Sequence, residues 1–254
     1  MDKKIIMGNF SRNAASYDDH ASIQRRCADE IMTLLGDNRF SSILEIGCGT
    51  GSYTKLLRDR YPDAKITAID ISKEMVDIAR KKYAADNIQF KICDGEHIEI
   101  TEKYDLITSN ASFQWFEHLD VDFKVFSEIL EKGGVLCFSM YGPDTFVELK
   151  EVFKSHFGRR NWLSSSRFAT LDTIEQIVKR YFGKFKLSEE YFTVDFYALW
   201  DLLLDIKRSG TRGEGLGNSI VLGKYVIKEM EKTYVQKFGR VRATHHVYFC
   251  RAEV

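Results

Sequence analysis

With 254 residues, 44% hydrophobic and 13% aromatic, the chain can build one large domain, or a domain with a substantial insertion, and general disorder is excluded. Thirty-seven basic residues balance thirty-seven acidic ones, which argues against a nucleic-acid binder working through bulk charge. Five cysteines without Cys-x-x-Cys or Cys/His spacing predict a reducing cytoplasm and no zinc site; no apolar h-region follows Met1, and no apolar run reaches the ~18 residues of a membrane span.

In chain order, the stretch 9–18 leads into an amphipathic helix with Ala21, Ala28, Ile31, Leu34 and Leu35 on one face, ending near Gly36. A strand at 42–46 then runs through Glu45 into a tight turn with Gly47, Gly49 and Gly51, and a helix over 52–61 follows. Glycine permits positive φ and close backbone approach to a ligand. A G-x-G-x-x-G dinucleotide fingerprint would need glycine at 52, where Ser52 stands. The next strand, 65–69, closes in Asp70, which either holds ribose hydroxyls or caps a turn, and Ser72 is the N-cap of a helix over 73–84. Strand 88–92 ends in Asp94-Gly95, and strand 104–109 in Asn110, followed by Ala111 to Trp115. A helix over 120–131 stops at Gly133-Gly134 before a strand at 134–140. This alternation predicts an α/β fold with a doubly wound parallel sheet, and polar groups at four strand ends outline a crevice at its carboxyl edge.

After Tyr141-Gly142-Pro143 the pattern changes. Helices are expected at 144–157, after Asp172 to about Tyr181, at 198–208 and at 220–237, with a Ser-rich loop at 164–166 and a glycine-rich loop at Ser209–Gly217. Strands at 184–196 and 240–251 would complete seven strands as an antiparallel pair. The predicted division is a core over 1–143, helical lid insertions at 144–183 and 197–238, and closing strands at 184–196 and 239–254. Between Lys207 and Arg242, nine basic residues face three acidic ones, a net +6 in a neutral chain. That stretch is either a solvated face or a docking surface for an acidic partner.

Glu45 with the G-x-G-x-G spacing resembles the S-adenosylmethionine site of class I methyltransferases. The resemblance implies a Rossmann-like seven-stranded fold and cofactor contacts from Glu45, Gly47, Cys48, Gly49, Gly51, Asp70, Ile71, Met75, Asp94, Gly95 and Asn110, with Asp94 receiving the adenine amine. Narrower segments, Phe10-Ser11-Arg12-Asn13-Ala14-Ala15-Ser16-Tyr17-Asp18, Ser109-Asn110-Ala111-Ser112-Phe113-Gln114-Trp115, Gly142-Pro143-Asp144-Thr145-Phe146 and Ile206-Lys207-Arg208-Ser209-Gly210-Thr211, resemble the malonyl-acyl-carrier-protein O-methyltransferases of biotin synthesis. Family members often end closer to Thr-Tyr where this chain has His245-His246.

This second resemblance implies methylation of a malonyl thioester's free carboxylate, on acyl carrier protein, by a cytoplasmic enzyme expected to be a monomer. By the same analogy Tyr17 and Gln114 flank the methyl position, while Trp115, Arg167, Lys207 and Arg208 are candidates for holding the acceptor. Trp115 could equally be core, and Lys207 and Arg208 could equally be solvated. A carboxylate is already ionised at pH 7, so no general base is expected. Methylation of a small free acid such as an aconitate-like compound, or cofactor binding without catalysis, are the other readings this sequence admits.

Overall fold

The computed structural model describes residues 2–98, 102–158, 163–209 and 223–254. Strands β1 (Ser42–Ile46), β2 (Lys65–Asp70), β3 (Gln89–Ile92), β4 (Tyr104–Asn110) and β5 (Leu130–Tyr141) pair in parallel. Strand β6 (Lys184–Phe196) and strand β7 (Val241–Glu253) close the sheet in the order β3-β2-β1-β4-β5-β7-β6, with β7 antiparallel to both its neighbours. The central strands are apolar on both faces because both are covered, as parallel sheets require.

One face packs Ile43, Leu106, Val135 and Phe249 against helices α2 (Ser22–Leu34) and α3 (Ser52–Arg60). Leu44, Ile107, Leu136 and Phe138 on the other face meet α5 (Leu119–Ile129) and α7 (Leu171–Tyr181). Helix α4 (Lys73–Lys82) begins at its Ser72 cap, whose hydroxyl accepts from Met75 N at 3.3 Å. Past the end of α2, Gly36 takes φ +57°, the left-handed conformation that glycine adopts most cheaply.

Three departures from the sequence reading matter. Helix α1 (Lys3–Asn13), N-capped by Asp2, was not anticipated. The helix expected to run to 131 ends at Ile129, and β5 starts at once. Within the segment expected to be lid, α7 instead buries Ile174, Ile177 and Val178 on the sheet.

A separate apolar cluster joins α6 (Val147–Phe157), α8 (Leu199–Arg208) and α9 (Lys224–Phe238) through Leu149, Phe153, Leu202, Ile206, Met230 and Tyr234. Apart from Ser209, the expected glycine-rich loop lies outside the described residues, as does the start of the helix expected from 220. Pairing explains where this cluster sits. β7 pairs with β5 only as far as Val247↔Tyr141, but with β6 as far as Val241↔Phe196. The β6–β7 ribbon therefore overruns the carboxyl end of β5 and carries helices beyond the sheet edge. His20 Nδ1 lies 2.9 Å from Asp205 Oδ1 and ties α8 to the 3-10 segment at Ala14–His20.

Candidate active site

The glycine turn is anchored first by backbone: Gly47 N and Cys48 N both donate to Ile69 O, at 2.8 and 2.9 Å. Gly47 takes φ +76°, and a Cβ there would fall 2.3 Å from Ser112 Oγ, so this position has room only for glycine. Gly49 N and Ser72 N donate to the Asp70 carboxylate at 2.9 and 2.8 Å, so one acid pins the turn after β1 to the end of β2.

Between these strand ends and α1 lies a crevice of about 860 Å³ counting its open mouth, within the size range of small-molecule sites. Of the residues expected to hold cofactor, Gly47, Gly49, Asp70, Ile71, Met75, Asp94, Gly95 and Asn110 line it. Glu45 and Cys48 line an adjoining cavity that shares Tyr17, Gly47, Gly49 and Asn110 with the crevice. Gly51 lines neither; it is the left-handed cap of α3 and lies under Tyr83.

Helix α1 supplies what the sequence reading missed. Ile6, Met7 and Phe10 wall the crevice, and Lys3 Nζ donates to both Asp94 oxygens at 2.8 and 2.7 Å while also pairing with Glu96. Burial alone would raise the Asp94 pKa, but the Lys3 ammonium, the Glu96 backbone N–H and the His97 ring together outweigh it and hold the carboxyl below its ordinary range. Asp94 is thus partnered by a cation, where the sequence reading had it open to an adenine amine. Asp2 as a cap, with Ile6 and Phe10 four residues apart, is the signal that could have revealed this helix.

On the acceptor side, Tyr17 and Gln114 both line the crevice. Burial, then the charges of Asp70 and Asp18, push the Tyr17 hydroxyl far up, so it keeps its proton at neutral pH. Gln114 is held by backbone: Nε2 donates to Ala111 O at 2.6 Å and Oε1 accepts from Tyr141 N at 3.2 Å. It braces Ala111, at φ +54°, against the end of β5. Trp115 is buried edge-to-face with Phe10 and Phe168, and its Nε1 has no hydrogen-bond partner among the described residues. Arg167, Lys207 and Arg208 are exposed and line neither the crevice nor its neighbouring cavities. Among the described residues, then, these three do not form a cationic clamp on the crevice.

Would S-adenosylmethionine fit these residues? Ile71, Met75 and Phe116 give an apolar slot, and Asp70 places a carboxylate on the crevice wall. Glu45 is 1% exposed, its Oε2 has no partner, and burial pushes its pKa to about 8. A buried acid in that condition lacks a cation, which is what the cofactor's α-amino group carries. The donor set fits. Among the described residues no group of three or more His, Cys, Asp or Glu could hold a metal, and no helix is long and apolar enough to cross a membrane.

Comparison with known proteins agrees with this geometry. Residues 43–134 match a family model described as a methyltransferase domain. The chain is 35% identical to a malonyl-[acyl-carrier protein] O-methyltransferase of Acetivibrio thermocellus, covering 98% of this chain and 93% of that one. It is 33% identical to malonyl-[acyl-carrier protein] O-methyltransferase 1 of Ilyobacter polytropus, covering 98% and 94%. Among solved structures, the YcgJ protein of Bacillus subtilis superposes with a TM-score of 0.62 at 13% identity, over 89% of this chain and 97% of that one. A Haemonchus contortus phosphoethanolamine N-methyltransferase 2, solved with S-adenosylhomocysteine, gives 0.57 at 18% identity, over 89% and 52%. With the glycine turn, the Asp70 anchor and the seven-stranded order in place, the full-length identity settles the assignment: this chain belongs to the malonyl-[acyl-carrier protein] O-methyltransferase family of S-adenosylmethionine-dependent methyltransferases.

Proposed function

We propose that this chain methylates the free carboxylate of malonyl-acyl carrier protein, in the cytoplasm and as a monomer. The observation that carries the reading is 30–35% identity to curated relatives of that name over 98% of this chain. S-adenosylmethionine, when bound, supplies an electrophilic sulfonium methyl. The chain's own part is to bind, orient and exclude water. The acceptor carboxylate is ionised at neutral pH, and Tyr17, kept protonated by burial, is a donor and not a base. Gln114 holds the Ala111 turn against β5, which sets the shape of the wall beside the methyl position. Positioning of this kind can supply several kcal/mol of a transfer barrier. Capping the charge as an ester leaves an apolar primer that chain-elongating enzymes can extend, as the family resemblance to biotin synthesis implies.

For carrier recognition the support is charge. Lys232 and Arg240 are neutralised by Glu229 and Asp195, at 2.7 and 2.9 Å. Lys207 and Arg208 at the end of α8, and Lys224 and Lys228 at the start of α9, make no ion pair among the described residues and are exposed. These four would steer an acidic carrier by long-range attraction.

The test is transfer from labelled S-adenosylmethionine to malonyl-acyl carrier protein, beside malonyl-coenzyme A and free malonate. Strong preference for the carrier-bound substrate is expected. Turnover of the free acid alone would replace this function with methylation of a small carboxylate.

A further inference from the structure

Past Trp115 and Tyr141 the crevice continues into a narrower cleft walled by Phe146, Phe168 and His245. The overhanging part of β7 puts His245 there. Its ring meets Phe146 edge-on at 5.0 Å and lies 6.0 Å from Tyr141, and the residue is 8% exposed. Burial holds its pKa down to about 4, so the imidazole is neutral, with one N–H and one lone pair.

The contacts of the His245 side chain among the described residues are these ring contacts, while Trp115 Nε1, on the wall shared with the crevice, is a buried donor without a partner among them. Two of the hydroxyls in the cleft have backbone partners instead. Thr145 Oγ1 donates to His246 O at 3.1 Å and Ser165 Oγ to Thr145 O at 2.8 Å. A buried donor without an acceptor costs roughly 1–3 kcal/mol, so Trp115 Nε1, on a cleft that the neutral His245 ring also lines, calls for a ligand rich in oxygen acceptors.

We propose that this cleft is the malonyl subsite and that the Trp115 and His245 N–H groups hold the malonyl oxygens as neutral donors. The proposal rests on the methyl-transfer reading above. Neutral donors suit the chemistry. A guanidinium paired to the attacking carboxylate would stabilise the nucleophile before transfer, when its charge is greatest, and so raise the barrier. Two N–H groups on aromatic rings fix its direction with less of that penalty.

Two variants of the full chain test it. His245→Phe keeps a buried ring and removes the donor; His245→Gln keeps an N–H. For each, kcat and KM are measured with malonyl-acyl carrier protein and with a malonyl-pantetheine thioester, and cofactor affinity by calorimetry. His245→Phe is expected to lower kcat/KM roughly tenfold or more on both substrates, with His245→Gln recovering most of the loss and cofactor affinity unchanged within about twofold. Retained kcat/KM in His245→Phe overturns the proposal, and so does an equal loss in both variants with cofactor bound, since shape and not the donor would then matter. If His245→Phe no longer binds cofactor, Trp115→Phe is read by the same criteria. A wild-type protein that binds cofactor but transfers to neither substrate defeats the methyl-transfer reading itself, and the subsite with it.

Discussion

Replacing Glu45 with glutamine isolates the charge of the one strand acid buried beneath the glycine turn. Burial moves its carboxyl from an ordinary 4.5 to about 8. Below about pH 4.5 the folded and unfolded chains both hold the proton, and the residue is neutral in its effect on stability. Between there and pH 8 the unfolded chain has released a proton that the folded chain still keeps. Stability therefore falls with rising pH, by about 1.4 kcal/mol per pH unit, reaching roughly 3 kcal/mol at pH 7 as an order-of-magnitude figure. Glutamine has nearly the same shape and no charge to lose. In urea unfolding of the cofactor-free protein, wild type and Glu45→Gln should be about equally stable near pH 4.5. The variant should be ahead by roughly 2–3 kcal/mol at pH 7. Parallel stability curves for the two proteins across this range would show that Glu45 ionises normally in the fold, and would refute the reasoning. The same substitution should weaken S-adenosylmethionine binding in calorimetry, because it removes the acid that an α-amino group would satisfy.

Three further outcomes are expected. Asp70→Ala removes the acceptor for Gly49 N and Ser72 N and should weaken cofactor affinity by roughly 1–3 kcal/mol in calorimetry; unchanged affinity would mean that the carboxylate neither shapes nor touches the cofactor. Gly47→Ala should destabilise the fold by about 2 kcal/mol or more in denaturant unfolding, since the new Cβ meets Ser112 Oγ at 2.3 Å from a left-handed backbone. Reversing charge at Lys224 and Lys228 should raise KM for malonyl-acyl carrier protein several-fold at low salt and leave KM for a malonyl-pantetheine thioester alone; equal effects on both substrates would remove these lysines from carrier docking.

The strands, and the polar residues that end them, were legible because each sits inside a short local pattern. An apolar run of four to seven residues, a glycine or acid at its end and a cap such as Ser72 together specify strand, turn and helix without reference to the rest of the chain. Helix α1 was not legible because its few apolar residues, Ile6, Met7 and Phe10, divide between the crevice wall and the edge of the core, which leaves little periodicity to read. Helix α7 has the amphipathic pattern of any surface helix, and the pattern does not say whether its partner is the sheet or the lid; Phe182 and the α5 side chains decided that. Arg167, Lys207 and Arg208 carried the right charge for a carboxylate clamp, yet their place on exposed turns and helix ends keeps them from the crevice.

By itself, then, the sequence determined the cofactor half of this protein. Its turn glycines, Asp70 and Ser72 act within two successive strand–turn–helix units, each read from a short local pattern, whose strands are neighbours in the sheet. The acceptor half was decided only by tertiary structure. Residues near 3–17, 110–116, 141–146, 163–168 and 245 meet there because the β6–β7 ribbon outruns β5 and folds its helices over the sheet edge. Burial, invisible in a string of residue types, is what keeps Glu45 protonated beneath the cofactor turn and, in the acceptor half, neutralises His245 and leaves Trp115 Nε1 without a partner among the described residues.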